Sequence, residues 1–136
     1  MIDILDAELQ QQSGISLRWY DVLVHLEEAP EGHLRMNELA GQIVASKSGL
    51  TRVVDGMERA GLVRRERPPA DRRVIEVVAT PKGFDVLRTA RPLHRDGIHR
   101  HFARHLDDRD VTALARALRK VRDEVRPLRA PQIAES

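Results

Sequence analysis

Residues 46–63 read SKSGLTRVVDGMERAGLV and contain the pattern of one complete helix. Ser46 belongs to the residue types that accept a hydrogen bond at a helix start, so a helix beginning at Lys47 is expected. Gly61 fits the left-handed position that commonly follows a helix end, which predicts a helix over residues 47–60. The apolar residues between these ends recur three and four positions apart and share one face; they are Leu50, Val53, Val54 and Met57.

A shorter helix is predicted directly before this stretch. From Leu34 onward the apolar residues again follow helical spacing, at Met36, Leu39, Ala40 and Ile43. A turn around residues 44–45 separates the two helices, and two short helices joined in this way are typical of a helix-turn-helix motif. We therefore expect residues 47–60 to be its recognition helix.

A β-hairpin is predicted after the recognition helix. Residues 62–67 have the pattern of a strand, residues 68–71 that of a turn, and residues 74–79 that of a returning strand. A hairpin at this place in a helix-turn-helix protein is called a wing. The sequence thus predicts a winged helix-turn-helix over residues 16–80, with the wing at residues 62–79.

Further helices are predicted on both sides of this winged part. Residues 1–12 have helical apolar spacing, and Ser16 fits as the N-cap of the helix that precedes the helix-turn-helix. Residues 80–81, a threonine and a proline, are typical of a helix start. The long helix that follows contains Pro92 and Gly97, either of which can bend or break it.

The last predicted helix carries an apolar seam. Asp107 and Asp110 form a capping box at its start, and Pro127 is expected to end it. Its apolar residues alternate spacings of three and four, as in a coiled coil; they are Val111, Leu114, Leu118, Val121 and Val125. The seam needs the N-terminal helix or a second subunit as its partner. We expect a protein that is mainly α with a small β-hairpin wing (α+β), in which residues 1–12 and 81–127 are dimerisation helices.

Composition limits the class of the protein. A length of 136 residues suits a single domain over residues 1–136. The chain has no cysteine, which excludes disulfides, thiolate metal sites and a cysteine-based redox response. No segment approaches the roughly 18 consecutive apolar residues of a membrane helix, so we expect no membrane association and a cytoplasmic location.

Charge is unevenly distributed although the formal net charge is only +2. Residues 1–30 carry one basic and six acidic side chains, whereas residues 47–73 carry eight basic and four acidic ones. Basic blocks rich in arginine are expected where phosphates are neutralised, because the guanidinium offers several planar donors. A solvated charged surface has the same composition, so charge alone leaves both interpretations open.

Several motifs together resemble one known family. Residues 34–40, residues 46–63, the Asp-x-Arg at 71–73 and the Thr-x-Lys-Gly at 80–83 are similar to those of the MarR (multiple antibiotic resistance regulator) family. The resemblance covers residues 16–125, although the N-terminus is shorter than the family often has. It implies a homodimeric winged helix-turn-helix transcription factor, usually a repressor, whose hold on DNA is relaxed by a small molecule or an oxidant.

The exposed side of the recognition helix is expected to meet DNA. Since the apolar stripe faces the core, the first turns present polar side chains that can bond base edges or phosphates; these are Lys47, Ser48, Thr51 and Arg52. Ser46 can also reach DNA, although N-capping is its favoured role. Asp55 is expected to orient Arg52 or Arg59 rather than to contact DNA.

The wing carries a second set of candidate DNA contacts. The resemblance assigns Asp71 to a salt bridge that braces the hairpin and Arg73 to the minor groove. Arg72 can serve instead, because neighbouring strand residues point to opposite faces and the sequence does not fix the register. Arg64 and Arg65, on the incoming strand, are expected to support the wing. The alternative is a solvated hairpin tip.

Aromatic residues near the start of the second helix suggest an effector site. In the resembled family this helix lies beside the cleft between the DNA-binding and dimerisation parts. Trp19, Tyr20 and Leu23 would then form the floor of a pocket for an aromatic or phenolic molecule. The competing interpretation, which is favoured, is that they belong to the core. No cofactor is expected.

The histidines raise the question of a metal site. His101 and His105 are four residues apart on one predicted helix, a spacing that can place both rings on one ion, and folding could bring His33 and His94 near. However, the chain has no cysteine and no carboxylate at a suitable spacing, and His94 lies on the apolar stripe, where a hydrogen-bonded packing role is commoner. We expect no metal, and a zinc-responsive regulator is kept as an alternative.

These features together predict a sequence-specific DNA-binding transcriptional regulator. A homodimer would place two recognition helices about one helical turn apart on a pseudo-palindromic operator, and a small-molecule effector would favour a spacing that no longer fits. An enzyme is not expected, because no catalytic triad, phosphate-binding glycine loop or paired carboxylates stand out. A winged helix that binds proteins without contacting DNA is the alternative function.

Overall fold

The structure is a computed structural model that describes residues 1–43 and 46–129, with side chains described to residue 125. Its elements are α1 (Ile2–Ser13), α2 (Leu17–Glu28), β1 (His33–Arg35), α3 (Met36–Gln42), α4 (Lys47–Arg59), β2 (Val63–Glu66), β3 (Glu76–Ala79), α5 (Pro81–His101) and α6 (Asp108–Arg129). The chain divides into two compact units, Met1–Gly97 and a second that begins at Ile98. Within the described ranges, none of the helices has the length and apolar character needed to cross a membrane.

The predicted recognition helix is confirmed as α4, together with its caps. Ser46 Oγ accepts a hydrogen bond from the Gly49 N–H at 3.1 Å. Gly61 has φ of 77°, in the left-handed region that glycine adopts without steric cost. The predicted apolar stripe faces the core, since the exposed fractions of Leu50, Val54 and Met57 do not exceed 1%.

The wing belongs to a three-stranded antiparallel sheet ordered β1-β3-β2. In β2 and β3, Val63 lies opposite Ala79. The sequence-based prediction lacks β1, in which Leu34 pairs with Val77 of β3; α3 begins at Met36, the first residue of the predicted apolar spacing. A strand of three residues is too short for alternation to differ from helical spacing, so only its pairing reveals it.

The ends of the C-terminal helices differ from the prediction in one respect. The capping box is confirmed, since the Asp107 N–H donates to Asp110 Oδ2 at 3.1 Å and the Asp110 N–H donates to Asp107 Oδ1 at 2.8 Å. The prediction that Pro127 ends the last helix is wrong, because α6 continues to Arg129. Likewise α5 continues through Pro92. A proline removes one hydrogen bond but its fixed φ is helical, so the helix can continue on both sides.

The carboxyl end of α4 is tied to the first turn of α5. Thr80 Oγ1 donates to the carbonyl of Gly61 at 2.5 Å, and Lys82 Nζ donates to the carbonyl of Ala60 at 2.8 Å. The Thr80 hydroxyl also accepts the Gly83 N–H at 3.1 Å, which confirms its predicted role as N-cap. This contact, called the α4–α5 junction below, comprises residues 60–62 and 80–83.

Gly83 is the most tightly packed glycine of the α4–α5 junction. A Cβ atom added to it would lie 2.2 Å from the carbonyl oxygen of Leu62, against backbone that cannot swing aside. Gly83→Ala should therefore lower the free energy of unfolding by about 1–3 kcal/mol or more.

The matched control is Gly41→Ala in α3, where no atom of the described residues lies within 4 Å of the added Cβ. This change should leave stability unchanged or raise it by up to about 1 kcal/mol. Urea denaturation of both variants makes the comparison, and a Gly83→Ala protein as stable as wild type would contradict the close packing.

Candidate nucleic-acid interface

The exposed face of α4 carries the residues that the sequence singles out for DNA contact. Lys47, Ser48, Thr51 and Arg52 are all exposed, opposite the buried stripe. Ser46 Oγ lies 3.3 Å from Ser48 Oγ, and the Thr51 hydroxyl donates to the Lys47 carbonyl at 2.9 Å. Each hydroxyl keeps free acceptor capacity. The helix start can therefore offer hydroxyl groups and backbone N–H groups to a ligand.

Three cationic side chains on α4 have no internal partner. Within the described residues, the side chains of Lys47, Arg52 and Arg59 make no ion pair or hydrogen bond. A cation of this kind is free to contact a phosphate or a base edge. Lys47 lies at the amino end of α4, where the helix dipole adds to the positive potential.

The acidic residues of α4 are held by Arg65 of β2. Arg65 Nη2 lies 2.6 Å from Asp55 Oδ1, and its Nη1 lies 3.3 Å from Glu58 Oε1. The expectation that Asp55 orients Arg52 or Arg59 is therefore wrong, because its partner comes from the strand after α4. Arg65 connects the wing to the recognition helix, which goes beyond its predicted role as support of the wing alone.

The tip of the wing is a loop over residues 67–75, braced by Asp71. Asp71 Oδ1 accepts the Arg73 N–H at 3.1 Å and the Arg73 Nε at 3.2 Å, which is the pair that the family resemblance implies. Arg67 Nη1 donates to the Arg72 carbonyl at 2.6 Å. The Arg73 side chain is still 92% exposed, so most of its donors face solvent.

Strand alternation does not separate Arg72 from Arg73. The observed β2 and β3 are shorter than the predicted strands, and both arginines lie in the loop between them, where both are exposed. Arg64 lies within β2 and its Nε donates to Glu66 Oε1 at 2.6 Å. Arg64 thus pairs within its own strand, and its role as a support of the wing stays a prediction.

The residues considered for an effector site lie in or against the core. Tyr20 and Leu23 are 8% and 0% exposed. Trp19 is half-buried and its ring covers Gly56 of α4, where an added Cβ would lie 3.1 Å from Trp19 Cζ2. A cavity of about 610 Å³ lies along α1, α2 and α3, with a lining that includes Leu17, Arg18, Asp21, His25 and Ile43. Trp19, Tyr20 and Leu23 therefore pack in or against the core, and Trp19 connects α2 to α4.

The two histidines considered for zinc do not lie on one helix. α5 ends at His101, whereas His105 lies in the 3-10 turn Ala103–His105. The chain leaves helical geometry at Phe102, which has φ −136° and ψ −65°, so the predicted i, i+4 pair is wrong. In the part of the chain that the structure describes, no group of three or more His, Cys, Asp or Glu side chains is placed to hold a metal ion.

His94 packs as expected but lacks the expected hydrogen bond. Its ring centroid lies 4.7 Å from that of Tyr20, and its Nδ1 is buried with no hydrogen-bond partner among the described residues. Burial lowers the pKa of His94, and the charge of Asp21 acts in the opposite direction. Burial also raises the pKa of Asp21, whereas interactions with His25, His94 and Arg18 act to lower it. The folded protein therefore favours the neutral form of the His94 ring.

Lys82 and Glu58 make structural contacts around α4 that are not among the predictions from the sequence. Lys82 holds the end of α4 through Ala60, and Glu58 shares Arg65 with Asp55. The Thr-x-Lys-Gly motif is a signal for Lys82, since its lysine directly follows a helix start. No pattern in the sequence marks the contact of Glu58 with a strand residue seven positions later, because it depends on the angle between α4 and β2.

The fold and this surface define a winged helix-turn-helix protein with an exposed, cation-rich recognition helix and wing. A model of the MarR family matches residues 13–74. AbsC, a MarR family transcriptional regulator from Streptomyces coelicolor, is 35% identical, with a TM-score of 0.84 over 93% of this chain and 84% of AbsC. Sco3205, a MarR family regulator from the same organism solved in complex with DNA, is 34% identical, with a TM-score of 0.87 over 96% of this chain and 81% of Sco3205. The chain belongs to the MarR family, as its motifs predict.

A curated relative matches a shorter part of its own length. The transcriptional repressor MprA from Escherichia coli (strain K12) is 26% identical over 92 residues, which are 68% of this chain and 52% of MprA. The chain thus spans about half the length of that relative.

The lowered pKa of His94 predicts that stability falls in mild acid. The unfolded chain binds a proton near the ordinary pKa of 6.5, whereas the folded chain binds it only at lower pH. The free energy of unfolding should therefore decrease as pH falls through 6.5 and level off below the folded pKa.

His94→Phe should reduce this loss between about pH 7.5 and pH 5.5, because the aromatic contact is kept and the titrating group is removed. His99→Gln, at an exposed position of α5, is the control and should behave as wild type. Urea denaturation across this pH range is the measurement. The same pH dependence in wild type and His94→Phe would show that His94 is not the group responsible.

Proposed function

We propose that the protein is a sequence-specific DNA-binding transcriptional regulator. The proposal rests on exposed cations of α4 and the wing, which include Lys47, Arg52 and Arg72. The side chains of these three residues have no partner within the described residues. Such cations can displace the counterions of DNA phosphates. The crystal structure of the relative Sco3205 in complex with DNA supports the same function.

In the proposed complex α4 enters the major groove. Ser48, Thr51 and Arg52 then face base edges, while Lys47 meets the phosphates beside the helix start. The exposed wing tip would reach the adjacent minor groove through Arg72 or Arg73, where narrow A·T-rich stretches attract guanidinium groups.

The proposed DNA-binding form is a homodimer that pairs through α1, α5 and α6. α6 exposes an apolar row on one face, with exposed fractions of 49% at Val111, 58% at Leu118, 58% at Val121 and 40% at Val125. α1 exposes Ile2 and Ile4. A contiguous apolar row on a helix surface favours association in water. A two-fold dimer would present two copies of α4 and so require an inverted-repeat operator.

We also propose that the protein is a repressor released by a small aromatic or phenolic effector. The relative MprA is a transcriptional repressor. Trp19 of α2 packs on Gly56 of α4, and α2 also lines the cavity of about 610 Å³. An effector in that cavity that displaced α2 would therefore move the recognition helix and shift the population away from the DNA-binding form.

Selection of bound duplexes from a random-sequence pool tests the proposed function. We expect an inverted repeat with half-sites about one helical turn apart, and an affinity that falls steeply as salt rises. A pool without enrichment would favour the protein-interaction alternative, in which the winged helix makes no DNA contact. Enrichment that depends on added zinc would favour the zinc-responsive alternative.

Arg73→Ala should weaken binding to the enriched duplex by about 1–3 kcal/mol, because it removes a guanidinium from the wing tip. Arg72→Ala is measured in parallel, and the larger loss identifies the residue in the minor groove. Arg88→Ala is the control, since Arg88 is exposed on α5 and pairs with Asp85. Fluorescence anisotropy at physiological salt measures all three, and unchanged affinity in both wing variants would remove the wing from the mechanism.

Leu118→Asp should turn the dimer into a monomer, because association would bury a charge in the apolar seam of α6. Arg116→Asp is the control, since this exposed residue lies on the opposite side of the helix. Light scattering after size exclusion gives the mass of each variant. A monomeric wild-type protein, or a dimeric Leu118→Asp variant, would contradict the proposed interface.

A further inference from the structure

Arg65 of β2 is paired with both carboxylates of α4. The guanidinium of Arg65 reaches Asp55 Oδ1 at 2.6 Å through Nη2 and Glu58 Oε1 at 3.3 Å through Nη1. The backbone N–H of Arg65 donates to Glu58 Oε2 at 2.8 Å. Arg65 Nη2 also lies 3.4 Å from the carbonyl oxygen of Thr51. Arg65 is thus hydrogen-bonded to residues in three successive turns of α4.

The two carboxylates lie where they can oppose DNA binding. Asp55 follows Ser48 and Arg52 along the exposed face at spacings of four and three, so it shares their row. The side chains of Asp55 and Glu58 are 50% and 42% exposed, whereas that of Arg65 is only 23% exposed. The carboxylates therefore face solvent in part, while the guanidinium of Arg65 is turned towards them.

We propose that Arg65 is a positioning residue for DNA recognition that acts by neutralising Asp55 and Glu58. This inference rests on the proposed DNA-binding function. With Arg65 in place, the exposed row of α4 carries uncompensated charge only from its cations. Without Arg65, two carboxylates would face the phosphate backbone, and like charges brought together at an interface oppose association. Arg65 itself does not touch DNA.

The test compares charge removal with charge rescue. Arg65→Met keeps much of the apolar stem and removes the guanidinium, so binding to the enriched duplex should weaken roughly tenfold or more. The triple variant Arg65→Met/Asp55→Asn/Glu58→Gln removes the exposed carboxylates as well and should recover most of that loss. Anisotropy over a range of salt concentrations gives the affinities, and urea denaturation shows that each variant is folded.

The double variant Asp55→Asn/Glu58→Gln, with Arg65 intact, tests the proposal whether or not Arg65→Met folds. Binding equal to or tighter than wild type is expected, because no exposed carboxylate then opposes the phosphates. Weaker binding would mean that the carboxylates themselves contact DNA, and would overturn the proposal. A folded Arg65→Met protein with unchanged affinity, or one whose loss the triple variant does not recover, would also overturn it.

The outcomes separate this inference from the function on which it rests. Wild-type protein that binds no duplex overturns both the proposed function and the role of Arg65. Wild-type binding with steep salt dependence, together with no rescue by the triple variant, overturns the role of Arg65 alone.

Discussion

The orientation of the recognition helix depends on the hydrogen bonds of the α4–α5 junction. Thr80 and Lys82 bond the carbonyls of Gly61 and Ala60, at the helix end where carbonyl groups lack partners within the helix. β2 begins and β3 ends directly beside this point. The root of the wing, the end of α4 and the start of α5 are thus fixed together, and Gly83 allows their close approach. α4 and the wing can therefore act as one surface, because both are attached at this junction.

The charged side chains of residues 47–73 divide into those that are paired with each other and those that have no oppositely charged partner in the described part of the chain. Every acid within residues 47–73 has an arginine partner: Asp55 and Glu58 pair with Arg65, Glu66 with Arg64, and Asp71 with Arg73. The pairs are partly exposed, so each contributes little to stability, but together they remove the acids as competitors for cations. The side chains of Lys47, Arg52, Arg59 and Arg72 are left without a partner among the described residues. Although the formal net charge is only +2, the unpaired charged side chains described within residues 47–73 are all cations.

Local chemistry explains which parts of the fold the sequence predicts. The caps at Ser46, Thr80 and Asp107 and the buried stripe of α4 depend on residues within a few positions, and all are confirmed. β1 depends on pairing with a strand about forty residues later, and a span of three residues carries no pattern of its own. For the candidate site, helical spacing predicts which residues of α4 are exposed. The partner of Asp55 could not be predicted, because the angle between α4 and β2 brings Arg65 to it.

Because the chain has no cysteine, site-directed DNA cleavage can show whether α4 and the wing form the face that meets DNA. Ser48→Cys, Arg72→Cys and Arg88→Cys would each carry one iron chelate that cleaves nearby DNA. If α4 and the wing meet DNA, the chelate at position 48 cuts within the enriched half-site, that at position 72 cuts in the flanking minor groove, and that at position 88 cuts less than either. Cleavage from position 88 without cleavage from positions 48 and 72 would contradict this arrangement.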